Sequence, residues 1–378
     1  MKLFVGLMSG TSLDGVDAAL IRHEPGRLPV LQASHAVPMP SDLRKCLLDL
    51  CQAETISFAA LARAEHDFCH LQARAVDALL SKARISRDCI TAIGSHGQTI
   101  EHAPSGHGDK PGPAYTCQLD NPSLLAELTG CQVVADFRRR DLAAGGQAAP
   151  LAPAFHAALF RHPRAWRLIL NLGGFANLTL LPPESSDAAI IGFDTGPANV
   201  LLDAWYQRHH HGSYYDAQGQ WASRGNVSQA LLSRLLEDEF FHRHPPKSTG
   251  REAFHLPWLE ARLRGENAAD VQASLAELSA VTIAMGVAMA CQYQSVSKVE
   301  SLIVCGGGAH NTDLLERLAR HIPEIAINKP DAFGWPADWL EAGAFAWLAA
   351  RRLESLPGNL PSVTAATGPR ILGGIYSA

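Results

Sequence analysis

The chain has no Cys-x-x-Cys pair, although eight of its 378 residues are cysteine. Most of these cysteines stand in apolar surroundings, so we expect small core residues rather than disulfides or a zinc site. The sequence also lacks the Gly-x-Ser-x-Gly elbow of serine hydrolases and a basic helix-turn-helix that could read DNA. Its formal net charge of −5 gives no overall attraction to nucleic acid or to an anionic membrane.

Nor does the chain open with a basic leader and a cleavable apolar segment, which predicts a cytoplasmic location. Its most apolar stretch, residues 278–291, is short for a membrane span and follows Glu277, which favours a buried helix. Hydrophobic residues make up 47% and charged residues 18%, as in an ordinary globular protein. Because 378 residues exceed what one compact core usually holds, we predict two domains with a cleft between them.

What the chain does contain is a glycine-rich, hydroxyl-bearing turn at residues 6–17, between two apolar runs. Glycines let backbone N–H groups approach an anion, so the turn predicts a phosphate-binding hairpin, with Asp14 or Asp17 placed to hold a hydrated Mg²⁺. It is not a Walker A loop, because Val16-Asp17 stands where Lys-Ser/Thr is required and a strand follows. A glycine-rich hairpin that binds nothing is the alternative.

Two later segments repeat the pattern of an apolar run that ends in a glycine turn. Residues 167–181 predict strand, turn and strand, as if the first hairpin recurred in the second half of the chain. Residues 301–311 predict a buried strand that leads through Gly306-Gly307-Gly308 into an amphipathic helix from Thr312. A strand, glycine turn and helix N-terminus suit a nucleotide, although a tight turn without a ligand would have the same sequence.

An apolar strand at residues 190–194 delivers Asp194 beside another glycine turn, and a helix is predicted from about residue 200. A carboxylate at a strand end next to a phosphate loop is well placed as a general base or metal ligand. Its alternative role is to cap the helix or brace the turn.

Together these pieces resemble the superfamily of sugar kinases, actin and Hsp70 ATPases. A narrower resemblance is carried by residues 6–17, 94–99 (Gly-Ser-His-Gly-Gln-Thr), 135–141 (Ala-Asp-Phe-Arg-Arg-Arg-Asp), 247–252 (Lys-Ser-Thr-Gly-Arg-Glu) and 356–361 (Leu-Pro-Gly-Asn-Leu-Pro). These segments look like the signatures of bacterial anhydro-N-acetylmuramic acid kinases, and the resemblance spans nearly the whole chain.

The resemblance implies an α/β fold with two lobes like those of actin and sugar kinases, built as duplicated ribonuclease-H-like domains with ATP in the cleft between them. We assign residues 1–143 and 361–378 to an N-terminal lobe with the phosphate hairpin and the sugar contacts. Residues 144–360 then form a C-terminal lobe with the catalytic aspartate and the glycine turn on the adenosine side. A homodimer is a further expectation from the family.

By the same resemblance, the chain uses ATP with Mg²⁺, and water, to open the ring of 1,6-anhydro-N-acetylmuramic acid and phosphorylate O6, a step of cell-wall recycling and amino-sugar catabolism. The catalytic base would be Asp194. The ATP-binding residues would be Gly10, Thr11, Ser12, Leu13, Asp14, Gly15, Val16, Asp17, Gly306, Gly307, Gly308 and Asn311. The sugar-binding residues would be His96, Asp136, Arg138 and Glu341, where Glu341 has helix capping as its alternative role.

Two other functions stay open at the level of sequence. The superfamily scaffold supports many substrates, so a kinase for another sugar is the closer rival. A regulatory or chaperone-like ATPase of the same superfamily is the other, although 378 residues leave no extra partner-binding domain.

One segment departs from the family pattern. The usual Gly-Gly-Gln-Gly-Ala-Pro is replaced by residues 145–150, Gly-Gly-Gln-Ala-Ala-Pro. Because alanine tolerates a positive φ less well than glycine, we expect the turn at Ala148 to differ locally.

Overall fold

The structure is a computed structural model, which describes residues 1–10, 12–106, 112–245, 247–251 and 253–378. The strands in these ranges are β1 (Lys2–Ser9), β2 (Gly15–His23), β3 (Val30–Pro38), β4 (Ile90–Ala103), β5 (Tyr115–Leu119), β6 (Val133–Ala135), β7 (Trp166–Leu172), β8 (Phe175–Leu181), β9 (Ile191–Pro197), β10 (Val299–Cys305), β11 (Ala326–Asn328) and β12 (Gly374–Tyr376).

The α-helices in the same ranges are α1 (Ser41–Gln52), α2 (Phe58–Ala83), α3 (Pro122–Thr129), α4 (Arg139–Leu142), α5 (Ala152–Phe160), α6 (Asn199–His209), α7 (Gln229–Leu236), α8 (Glu239–His242), α9 (Leu256–Glu260), α10 (Ala268–Tyr293), α11 (Thr312–His321), α12 (Leu340–Leu353) and α13 (Pro361–Thr364). The α/β class predicted from the sequence is therefore confirmed.

The chain divides into two compact units, Met1–Leu159 with Trp339–Ala378, and Phe160–Asp338. The first unit holds a mixed sheet in the order β12-β6-β4-β1-β2-β3, with β5 added beside β4. Strands β1, β2 and β3 form an antiparallel meander, and β4 and β6 join it in parallel on the other side of β1. The meander places the predicted phosphate turn between its first two strands.

The second unit repeats this plan in the order β11-β10-β7-β8-β9. Its meander is β7-β8-β9, and β10 and β11 follow in parallel on the far side of β7. Strand order and direction thus match the first unit's β6-β4-β1-β2-β3. The duplication predicted from the recurring hairpin is confirmed.

Helix α10 is the apolar segment that raised the question of a membrane span. Its length and composition would allow it to cross a membrane, but 61% of its most apolar window is buried. Leu275, Leu278 and Ile283 are each at most 1% exposed, and they pack in the hydrophobic cores of the second unit. The buried helix predicted here is therefore present.

The unit boundaries differ from those predicted, because residues 144–159 and 339–360 lie with the first unit and not the second. Helix α12 packs on β1, β2 and β4. Glycines make this close approach possible, since a Cβ at Gly6 would collide with the Ala342 carbonyl and one at Gly94 with the Phe345 carbonyl. The assignment of α12 to the second lobe is corrected accordingly.

Candidate active site

The predicted phosphate turn follows β1 and is held by hydrogen bonds at its base. The Ser9 hydroxyl lies 2.7 Å from Gln98 Oε1 and 2.8 Å from the Gly15 carbonyl oxygen. The Gln98 amide donates to the Gly10 carbonyl at 3.3 Å, and the Leu13 N–H donates to the same oxygen at 3.2 Å. Strand β4 therefore fixes the turn through one glutamine.

The predicted ATP-binding residues of this turn differ in what they present. Leu13 and Val16 are each 1% exposed and belong to the hydrophobic core, so their side chains do not face a ligand. Asp17 is half-buried within β2, whereas Ser12 and Asp14 are exposed. Thr11 lies outside the described residues. Of the two carboxylates considered for Mg²⁺, Asp14 is the more accessible.

Two predicted sugar-binding residues, His96 and Arg138, are bonded to each other. Arg138 Nε donates to His96 Nε2 at 3.0 Å, and His96 Nδ1 lies 2.9 Å from the Gly97 carbonyl oxygen. A carbonyl only accepts and a guanidinium only donates, so Nδ1 carries the proton and His96 is neutral. Burial, with the Arg138 charge, holds the pKa of His96 well below its usual range.

Arg138 is partly buried. Burial lowers its pKa to about 10, although Glu341 and Asp141 oppose the shift. Its Nη1 donates to the Ala148 carbonyl at 2.7 Å. Arg138 Nη2 has no hydrogen-bond partner within the described part of the chain, so it can donate to an anion.

The other two predicted sugar contacts are more accessible. Glu341 retains contact with solvent in the first turn of α12. Desolvation by crowding protein atoms raises the pKa of its carboxyl, an effect that Arg138 opposes. Asp136 is exposed, has a φ of 59° and lies 3.7 Å from Arg139. The structure thus groups His96, Arg138 and Glu341, while Asp136 pairs with a neighbouring arginine.

Asp194, the predicted base, lies in β9 with both carboxylate oxygens bonded. Oδ1 accepts from Asn177 Nδ2 at 2.9 Å, and Oδ2 accepts from the Thr249 N–H at 3.0 Å. Burial raises the pKa of Asp194, and these two hydrogen bonds together with Lys247 oppose the rise. The result is an oriented carboxylate with a higher proton affinity than usual, as a general base requires.

Residues from the segment before α9 line this carboxylate. The Lys247 ammonium donates to the Phe240 and Phe241 carbonyls at 3.0 and 3.2 Å, so it does not form a direct ion pair with Asp194. Burial lowers the pKa of Lys247 to about 8. The Thr249 hydroxyl is buried and has no hydrogen-bond partner among residues that the structure describes. Its backbone N–H, and not this hydroxyl, is the group that bonds Asp194.

The glycine turn after β10 combines packing positions with an open one. A Cβ at Gly306 would collide with Asn171, and one at Gly308 would lie 2.6 Å from the Leu172 Cβ. A Cβ at Gly307 would meet no atom within 4 Å. Asn311 caps α11, because its side chain accepts from the Leu314 N–H at 3.1 Å. Among the three glycines, Gly307 therefore has the most free space beside its backbone for a nucleotide.

Strand register relates this turn to Asp194 within the second unit. Cys305, Asn171, Asn177 and Asp194 are successive partners across β10, β7, β8 and β9. The glycine turn, which follows Cys305, and Asp194 therefore lie at the same level of the sheet. Asn177 was not predicted from the sequence. The feature that could have indicated it is an asparagine on each side of the turn in the second hairpin, Asn171 and Asn177.

Comparisons with known proteins indicate the family of the chain. A family model described as anhydro-N-acetylmuramic acid kinase matches residues 2–378. A protein of that description from Chromohalobacter salexigens is 62% identical over 378 residues, with 100% of both chains covered. Another, from Pseudomonas paraeruginosa, is 50% identical over 381 residues, again with 100% of both covered.

A solved structure of component A of the (R)-2-hydroxyglutaryl-CoA dehydratase of Acidaminococcus fermentans is also similar, with a TM-score of 0.47 and 10% identity over 93% of this chain and 99% of the other. That likeness is too loose to add to the sequence relationship. The full-length matches confirm the resemblance seen in the motifs. The chain belongs to the anhydro-N-acetylmuramic acid kinase family.

Proposed function

We propose that the chain uses ATP and water to convert 1,6-anhydro-N-acetylmuramic acid into N-acetylmuramic acid 6-phosphate and ADP. Family membership makes it an ATP-dependent phosphotransferase that acts on a sugar. The observation that carries the proposal is the carboxylate of Asp194, which two hydrogen bonds orient and burial makes more basic. A kinase that only phosphorylates a hydroxyl needs no attacking water, whereas ring opening does.

Asp194 is the general base in this proposal. Its carboxylate takes a proton from the water that attacks C1 of the sugar. As the new C1–O bond forms, the bond between C1 and the bridging oxygen breaks. That oxygen remains on C6 and accepts the γ-phosphoryl group, while ADP leaves with the displaced electron pair.

We assign the sugar contacts to His96, Arg138, Glu341 and Asp136. The lactyl group of the sugar carries a carboxylate, and the free Nη2 edge of Arg138 offers N–H donors to it. Neutral His96 keeps the arginine in place without adding charge. The Glu341 carboxylate offsets the positive charge of the Arg138 guanidinium and can accept a hydrogen bond from a sugar hydroxyl.

We assign the ATP phosphates to the turn at residues 10–17 and the adenosine end to Gly306-Gly307-Gly308 with Asn311. Backbone N–H groups of glycine-rich turns bind phosphate oxygens. Mg²⁺ would offset the negative charge of those oxygens, and the exposed carboxylate of Asp14 suits its hydrated form. A homodimer and a cytoplasmic location belong to the same proposal, and light scattering of the purified protein tests the first.

The direct test is incubation with ATP, Mg²⁺ and 1,6-anhydro-N-acetylmuramic acid in H₂¹⁸O, with ADP measured and the sugar product analysed by mass spectrometry. We expect ADP only when the sugar is present, and one ¹⁸O at C1 of a sugar phosphate. A phosphorylated product without ¹⁸O would mean that a free hydroxyl of the sugar was phosphorylated with the anhydro ring intact, as by an ordinary sugar kinase. ADP release that does not depend on the sugar would indicate a regulatory ATPase.

A further inference from the structure

The carboxylate of Asp141 is fully buried in the first unit and takes no part in the mechanism above. Oδ1 accepts from Asn359 Nδ2 at 2.7 Å and from the Thr364 hydroxyl at 2.8 Å. Oδ2 accepts from the Ala148 N–H at 2.8 Å. Burying a carboxylate costs free energy even when three donors bond it. The role of Asp141 therefore depends on which segments these hydrogen bonds hold together.

What they hold is the turn that departs from the family pattern. Ala148 has a φ of 56° and is completely buried. In this conformation its N–H faces Asp141 while its carbonyl accepts from Arg138 Nη1 at 2.7 Å. Arg138 in turn donates to His96. A continuous chain of hydrogen bonds therefore runs from Thr364 and Asn359 through Asp141 and Ala148 to the guanidinium.

The C-terminal segment, which is distant in sequence, also binds the turn directly. In addition to the bond from the Thr364 hydroxyl to Asp141, the Thr364 carbonyl accepts from the Gln147 N–H at 2.7 Å. The Ala144 carbonyl accepts from the Thr367 N–H at 2.9 Å. Thr364 is completely buried and Asn359 is 4% exposed. The turn at residues 145–148 is thus fixed on both sides, and the Ala148 carbonyl cannot move without breaking several bonds.

We propose that Asp141, held by Asn359 and Thr364, is a positioning residue that orients Arg138 for the carboxylate of the sugar. The inference rests on the proposed function for the identity of that carboxylate. Fixing Arg138 through Nε and Nη1 fixes the plane of the guanidinium and therefore the directions of the two N–H groups of Nη2. A guanidinium fixed before the sugar arrives loses less conformational freedom on binding.

Thr364→Val tests the proposal with little change in shape, and Thr364→Ser is its matched control. The valine removes one donor to Asp141, whereas the serine keeps it. We expect the valine variant to raise KM for the sugar by roughly 10-fold, with kcat and KM for ATP within about 2-fold, and the serine variant to resemble the wild type. A valine variant that is less stable but keeps the wild-type KM for the sugar would overturn the proposal.

A double-mutant cycle shows whether the effect passes through Arg138. In an Arg138→Ala background we expect Thr364→Val to cause no further loss of kcat/KM, because the group that it positions is gone. Additive losses would mean that Thr364 and Asp141 act elsewhere. Asp141→Asn serves as a second entry point to the same cycle, provided that its thermal unfolding shows a folded protein.

A readout without substrate separates failure of this inference from failure of the proposed function. In ¹⁵N NMR of labelled histidines, with His96→Gln used for assignment, we expect neutral His96 with the proton on Nδ1. Thr364→Val and Arg138→Ala should both shift the His96 Nε2 signal, and Thr364→Ser should not. An unchanged signal in the valine variant overturns the positioning role even if turnover is normal. A shifted signal with no sugar turnover in the wild type overturns only the proposed function.

Discussion

At the scale of single residues, Asp194 is the side chain on which the proposed chemistry depends. Asp194→Asn keeps its size and one acceptor oxygen but cannot take a proton. We expect turnover to fall by at least ~10²-fold, the scale of a lost general base, while KM values for ATP and the sugar change little. Asp187→Asn, the same change at an exposed carboxylate of the same unit, is the control. Near-normal turnover of the Asp194 variant would contradict the role.

The hydrogen bond from Asn177 opposes the rise that burial causes in the pKa of that base. It stabilises the charged form of Asp194, so its loss in Asn177→Ala should raise the pKa of Asp194 above its already elevated position. The base works only when deprotonated, and we therefore expect the acid limb of the kcat profile to move to higher pH. Profiles of kcat against pH for both proteins measure this. An acid limb that stays in place or moves to lower pH would show that another group limits the rate.

At the scale of elements, the glycine turn after β10 separates packing from binding. Gly306 has a φ of 79° and no room for a Cβ, so Gly306→Ala should destabilise the second unit by several kcal/mol. Gly307 has room, so Gly307→Ala should unfold like the wild type. If the Gly307 backbone contacts ATP, the added methyl group should raise KM for ATP several-fold.

Thermal unfolding and ATP kinetics of the two alanine variants check this prediction. The two variants control for each other, since they introduce the same methyl group at adjacent positions. A Gly307 variant with wild-type KM for ATP would remove this turn from the nucleotide site. A Gly306 variant with wild-type stability would mean that Asn171 moves aside at no cost.

Elements that depend on local sequence were predictable, and elements placed by distant contacts were not. Apolar residues at helical spacing predict a helix from about residue 58 to 83, and α2 is observed as Phe58–Ala83, with Ser57 capping its start. The place of α12 was missed. Its contacts with β1 and β4 depend on Gly6 and Gly94, which lie roughly 250 to 340 residues earlier in the chain.

At the scale of the whole molecule, the same limit applies to the candidate site. The glycine turns and Asp194 stand out in the sequence because each ends an apolar strand. The bonds of Asp194 to Asn177 and Thr249, and of Arg138 to His96 and Ala148, join residues that lie 10 to 55 positions apart. No periodicity or spacing encodes such pairings, so the sequence could name candidates but not their partners.

The free energy of unfolding should depend on pH partly through the titration of one buried carboxyl, that of Asp120. Burial raises the pKa of Asp120 to about 6, although Ser95, Gln72 and the Asn121 backbone oppose the rise. An unfolded aspartate titrates near ~3.9, so between about pH 4 and 6 the folded state binds the extra proton. Stability conferred by this group is therefore greatest in acid and falls as pH rises through that window.

Asp120→Asn removes this titration, so the variant should gain stability relative to the wild type as pH rises. A rise in pKa from 3.8 to about 6 corresponds to a gain of up to about 3 kcal/mol at pH 8 compared with pH 4. Chemical unfolding of both proteins at the two pH values measures the difference, and Asp49→Asn, at an exposed position of α1, controls for loss of charge alone. If the Asp120 variant lost stability equally at both pH values, the aspartate would be a charged, paired group, and its burial would not govern the acid stability of the protein.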